Sequence, residues 1–159
     1  MKSTINNYLQ EENLKYVTLV DESDRAIYKL DMELEQGTCD LIVEVREENE
    51  AVFIFTNLPL KIPAPKRDKV SRFLMMVNYR LIIGNFELDY DDGEVRYKSS
   101  YAYDDTLPIT KDFFMRHFFL GIKMMNVFLP GIMTVTYGNI SPEAALNQIN
   151  QSPADPSLN

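Results

Sequence analysis

Asp89, Asp91 and Asp92 crowd one short stretch beside Gly93, and clustered carboxylates invite a test for calcium. A helix–loop–helix calcium loop needs glycine at its position 6 and glutamate at its position 12. With Gly93 at position 6, Leu88 falls at position 1 and Ser99 at position 12, so the pattern fails. The acidic stretch reads instead as a solvated turn with ion pairs across it. His117 is the single histidine and Cys39 the single cysteine. One chain therefore cannot assemble a zinc site from nitrogen and sulfur ligands. Helical projection places His117 beside Phe113, Met124 and Phe128, an apolar face that suits a hydrogen-bonded core histidine. Cys39 falls on an inward strand face with nothing basic nearby to activate its thiol. Lys66, Arg67 and Lys69, flanking Asp68, read as a solvated first turn of a helix rather than an anion site. There is no phosphate-loop glycine pattern and no nucleophile-elbow serine, and nothing singles out a carboxylate pair for glycoside chemistry. The residues indicate no catalytic group, cofactor or metal ligand.

The chain has 159 residues, a length that suits one domain. At that size folding buries about 70% of the unfolded surface. With 24 acidic and 16 basic residues the formal charge is −8. That balance argues against nucleic acid, whose phosphates need a basic face, and against anionic membrane surfaces. A lone cysteine forms no internal disulfide, and a reducing compartment, the cytoplasm, is expected. The opening MKSTINNYLQEENLK has no apolar core of the signal-peptide kind. The most apolar window, residues 113–133, is interrupted by Arg116, His117, Lys123, Asn126 and Pro130, which argues against a membrane span.

Periodicity orders the elements that must position these residues. Residues 3–13 predict a short amphipathic helix capped by Ser3 or Thr4, with Ile5, Tyr8 and Leu9 on its apolar side. Residues 15–23 predict a short extended piece and an acidic turn. Residues 26–35 and 38–46 predict a hairpin about Gln36-Gly37. It sets Leu34 against Cys39, Met32 against Leu41, Leu30 against Val43 and Tyr28 against Val45. A strand over 51–56 follows, apolar on both faces: Val52 and Ile54 on the core side, Phe53 and Phe55 on the other, near Ile42. Those three are either covered or an exposed patch. Pro59, Pro63 and Pro65 predict a stiff crossing. A helix over 66–80 has the stripe Val70, Phe73, Leu74, Val77 and Leu81, with Met75 and Tyr79 on its far side.

The clearest local pattern is FELDYDDGEVRYKSSYAY, residues 86–103. It reads as a hairpin about Asp92-Gly93, with Leu88 opposite Tyr97, Tyr90 opposite Val95, Asp89 opposite Arg96 and Glu87 opposite Lys98. A polar turn, Asp104-Asp105-Thr106, leads to a helix over 110–128 capped by Thr110. Pro130 ends or kinks it and starts a short helix to Tyr137, and Gly138 stops that one. Ser141-Pro142-Glu143 starts a last helix to about residue 150. The tail, residues 151–159, has two prolines and low hydrophobicity and is expected to be disordered. The order α-β-β-β-α-β-β-α predicts an α+β class with an antiparallel sheet of about five strands flanked by helices, in one domain over 1–150.

Asn78-Tyr79-Arg80-Leu81-Ile82-Ile83-Gly84-Asn85 followed by FELDYDDGEVRYKSS resembles the YbjN family. Thr136-Tyr137-Gly138 and Ser141 to Leu146 fit the same resemblance. It implies a bacterial regulatory domain with a type III secretion chaperone-like fold, and it carries over no catalytic residue. The residues add an anomaly of their own: the helix over 110–128 is apolar over far more than the ~100° stripe of a surface helix. Six methionines, Met75, Met76, Met115, Met124, Met125 and Met133, lie in helical segments. Methionine fills irregular cores and also makes adaptable binding surfaces. The expectation is a non-enzymatic, chaperone-like or regulatory domain that binds protein or peptide, as a homodimer, through Met75, Tyr79, Ile42, Phe53 and Phe55. The alternative is a small ligand held between sheet and helices.

Overall fold

Alternating apolar residues build one face of every main strand, so the strands need a single covering layer and leave their other face open. The structure, a computed structural model, describes residues 1–104, 106 and 108–151. Its strands are β1 (Val17–Asp21), β2 (Arg25–Leu34), β3 (Gly37–Arg46), β4 (Ala51–Lys61), β5 (Asn85–Leu88) and β6 (Glu94–Ala102). They pair antiparallel in the order β1-β2-β3-β4-β6-β5. The helices are α1 (Lys2–Glu11), α2 (Arg67–Asn78), α3 (Lys111–Tyr137) and α4 (Pro142–Gln151), with a 3-10 turn over Ala64–Lys66. The class is α+β, as expected.

Six strands stand where about five were expected. The extended piece after α1 pairs with β2 as an edge strand, and it leaves Val17 and Leu19 exposed. The strand expected to stop at residue 56 runs on to Lys61 and takes in Pro59, where the ladder with β6 is irregular. A proline lacks the N–H for a regular ladder, so it belongs at such a break. α1 has no side-chain cap, neither from Ser3 nor from Thr4. Thr110 caps α3 as expected, accepting from the Phe113 amide at 3.3 Å. α3 does not end near 128, however. It continues through Pro130, which is exposed, to its cap at Gly138. The expected disordered tail lies outside the described residues, except for Gln151, which closes α4.

Both expected hairpins form, each with its register displaced by two residues. In the first, Met32 pairs with Cys39, Leu30 with Leu41, Tyr28 with Val43 and Ala26 with Val45. Glu35 and Gln36 make the turn, and Gly37, at φ 114°, closes it. In the second, Leu88 pairs with Val95, Phe86 with Tyr97, Glu87 with Arg96 and Asn85 with Lys98. The turn there is longer than two residues. Asp89 Oδ1 accepts from the Asp91 amide at 2.7 Å, Asp92 Oδ1 accepts from the Glu94 amide at 2.8 Å, and Gly93 takes φ 82°. Asx turns and a left-handed closing glycine outweigh the minimal two-residue turn. A shift of two keeps every side chain on its face, so the core assignment survives the error.

The core forms as two apolar clusters joined by α3. Phe114 and Phe118 pack with Ile5 and Leu9 of α1 and the inward residues of β2, β3 and β4. Met124, Met125, Phe128, Leu129, Ile132 and Val135 pack with α2, α4 and the inward side of β5 and β6. α3 has the length and composition of a membrane span, but in this fold half of its apolar window is buried. Much of its wide apolar circumference is met by the sheet on one side and by α2 and α4 on others, while Phe113 and Phe119 stay exposed. At the seam between the clusters α3 lies very close to β4. A Cβ on Gly121 would stand 2.0 Å from Thr56 Oγ1.

Candidate functional site

The strongest reactive geometry among the described residues lies at that seam. Ser99 Oγ and His117 Nδ1 are 2.6 Å apart, the hydroxyl–imidazole pairing that can activate a nucleophile. Both groups are buried, at 1% and 7% exposure, and the imidazole is packed against Phe113 and Tyr101 at 4.5 and 5.0 Å. Burial, with the Arg116 charge added, holds the imidazole below its usual pKa and keeps it neutral. Neither group lines the two clefts described below. The pair is therefore a hydrogen-bonded core contact, as the apolar surroundings of His117 predict. Cys39 is likewise buried, and burial pushes its thiol up to about 11, which leaves it protonated and inert at neutral pH. Arg67 is more than a solvated charge. It donates to the carbonyls of Ile62 at 3.1 Å and Tyr90 at 2.6 Å and so staples the acidic turn to the start of α2.

The open face of the sheet holds three of the sequence-predicted binding residues together: Ile42, Phe53 and Phe55. Ile42 pairs with Phe55, and the rings of Phe53 and Phe55 stack at 6.1 Å with an interplanar angle of 3°. All three side chains are half-buried, although no helix packs on this face among the described residues. Cations cover them. The Arg46 guanidinium stands 4.8 Å from the Phe53 ring, and the Arg96 guanidinium 4.4 Å from that of Phe55. Those cations are held in turn by acids. Glu44, only 5% exposed, accepts from Arg25 at 2.8 Å and Arg46 at 2.7 Å. Burial alone would favour its neutral form, but the two guanidinium groups hold its carboxyl below the usual range. Glu87 accepts from Arg96 at 2.7 Å and Lys98 at 3.3 Å.

Met75 and Tyr79 stand apart from that face. They lie one helical turn apart on the outer side of α2, at 66% and 94% exposure, while Val70, Phe73, Leu74 and Val77 are buried as the stripe predicts. The loop that follows adds Ile82, 83% exposed, and Ile83, 41% exposed. Sequence reasoning did not single out these two isoleucines. Their signal was an apolar pair just past a helix end, where polar turn residues are usual.

This loop is clamped at both ends. The Asn78 amide at the end of α2 donates to the Phe86 carbonyl at 2.9 Å and accepts from the Phe86 amide at 2.7 Å, as a strand neighbour would. The Tyr97 hydroxyl donates to the Ile83 carbonyl. Gly84, at φ 69°, makes the approach possible, for a Cβ there would meet the same hydroxyl at 2.3 Å. Between this loop and α3 runs a groove of about 170 Å³, with Arg80, Leu81 and Ile82 on one side and Leu120, Lys123 and Met124 on the other. A second cleft of about 290 Å³ lies along the central hairpin, among Glu87, Asp89, Glu94 and Arg96.

The residues that build this clamp lie within the span that a known family covers: the family model YbjN, described as "Putative bacterial sensory transduction regulator", matches residues 2–132. The chain belongs to the YbjN family. The solved structure of YbjN from E. coli, described as "a putative transcription regulator", has a similar fold, with a TM-score of 0.51 over 81% of this chain and 93% of that one. At 9% identity that likeness concerns the fold alone. No curated protein matches the chain. The YbjN fold and the family's regulatory description both agree with the resemblance carried by residues 78–100.

Proposed function

We propose that this YbjN-family chain is a non-enzymatic regulatory or chaperone-like domain that acts in the cytoplasm by binding protein. The observation that carries the reading is the clamped apolar loop. Exposed Met75, Tyr79, Ile82 and Ile83 would normally be costly on a soluble surface, and apolar surface of this kind marks interaction sites. Here the loop is pinned by Asn78, Tyr97 and Gly84, so its apolar side chains are held in place before a partner arrives. Preorganisation lowers the ordering cost of association. The size of these two clefts weighs against either of them as the site of a small ligand, the alternative. Sites for such molecules run to roughly 300–1,000 Å³, and those seen here hold about 170 and 290 Å³. The open sheet face with Ile42, Phe53 and Phe55 is the second proposed contact surface, available to a second copy of the chain in a homodimer.

The test is a pull-down from native cytoplasm with wild type and with Met75→Lys/Tyr79→Glu in parallel, and circular dichroism as the folding control. The core stripe is untouched, so the double variant keeps its fold. Partners recovered by wild type and lost by the variant are the expected result. Identical recovery by both would remove this surface from the proposal. Sedimentation equilibrium at micromolar concentration decides the homodimer separately.

A further inference from the structure

The charge around the groove runs against the charge of the molecule. The chain carries a formal −8, yet among the described residues the groove is rimmed by Arg80, which also donates to Asn150 Oδ1 at 3.2 Å, and by Lys123, and its lining holds no acidic side chain. Arg116, exposed, extends the cationic rim. It lies on the same stripe of α3 as Leu120 and Lys123, at helical spacings of four and three. The floor is apolar: Leu81, Ile82, Leu120 and Met124. At about 170 Å³ the groove has room for one or two apolar side chains. That is the scale of an anchor pocket in a protein interface.

Resting on the protein-binding reading above, we infer that this groove takes a segment of a partner protein that is both apolar and acidic. An apolar side chain of the partner enters between Ile82 and Leu120, and carboxylates beside it meet Arg80, Lys123 and Arg116. The acidic remainder of the surface repels other acidic segments that lack the apolar anchor. The same charges therefore steer the right partner and discourage the wrong ones.

The probe is a random twelve-residue peptide library displayed on phage and selected on the full chain at low salt. The best-enriched peptide is then synthesised and its affinity measured. Selected sequences should combine leucine, isoleucine, methionine or phenylalanine with aspartate or glutamate. Lys123→Glu should weaken the peptide at least tenfold, and so should Ile82→Glu, whose side chain is exposed and not part of the core. Binding should also fall as salt screens the rim. Amide chemical shifts at residues 80–83 and 120–124 should move on titration, which places the peptide without relying on any variant. Selection of basic or uncharged sequences, or of none, overturns the inference. Binding indifferent to Lys123→Glu, or lost with Phe53→Ala and Phe55→Ala instead, overturns it too and leaves the protein-binding reading standing on the sheet face. Self-association of the wild type that Ile82→Glu abolishes would assign the groove to a second copy and likewise overturn it.

Discussion

At the scale of single residues, the molecule turns on which partner each charge finds. Arg96 was expected opposite Asp89 and instead meets Glu87, because Asp89 Oδ1 is engaged by the Asp91 amide within the turn. A double-mutant cycle on Glu87 and Arg96 should therefore return a coupling of about 0.2–1 kcal/mol, modest because both side chains remain partly exposed. The same cycle on Asp89 and Arg96 should return none. The opposite result would restore the tighter two-residue turn. The carboxylate of Glu87 responds in the same sense: burial opposes its charge, but Arg96 and Lys98 hold it below the usual range. Much at this scale was legible in the sequence. The inward face of Cys39 and the core role of His117 follow from their apolar neighbours. What was not legible is a hydrogen bond that needs two distant backbones in place. Asn78 on Phe86 and Tyr97 on Ile83 are such cases, and they are what hold the candidate surface.

At the scale of elements, packing decides more than propensity. α3 runs unbroken through Pro130 because that residue faces solvent and the helix is held from both sides by the two core clusters. A proline inside a helix costs roughly 3 kcal/mol in isolation, and sequence reasoning had only that cost to weigh. The same packing gives Gly121 its purpose. Gly121→Ala should destabilise by about 1–3 kcal/mol, as overpacked cores do, since the new methyl group would meet Thr56 Oγ1 at 2.0 Å. In a Thr56→Ala background the loss should shrink, for the clashing oxygen is gone and it has no hydrogen-bond partner to leave behind. Equal losses in both backgrounds, measured by denaturant unfolding, would show that the α3–β4 contact is not the cause. The hairpins teach the complementary lesson. Apolar alternation and a glycine locate a hairpin and sort its faces. They do not place or count the turn residues: the first turn stays two residues long but slides back by one, to Glu35-Gln36, and in the second, Asx turns and a left-handed closing glycine lengthen the turn, with side-chain parity preserved in both. The extended piece over residues 15–23 was expected, but not its place in the sheet as β1, because it exposes Val17 and Leu19 and so lacks the buried alternation of its neighbours.

At the scale of the whole molecule, the four described helices lie on one side of a six-stranded sheet, and much of the apolar surface of α3 is met within the chain, while Phe113 and Phe119 stay exposed. Two surfaces carry the proposed contacts. One is the open sheet face, where cations already cover Phe53 and Phe55. The other is the clamped loop beside its cation-rimmed groove, whose exposed isoleucines have no such cover among the described residues. That contrast makes the loop side the centre of the account. The most direct test is photo-crosslinking in living cells from a reactive amino acid placed at Tyr79, with the same group at exposed Glu48 as control. The account predicts a discrete protein adduct from position 79 and none from position 48, abolished by Ile82→Glu in the same chain. No adduct from position 79, or equal adducts from both positions, would contradict it.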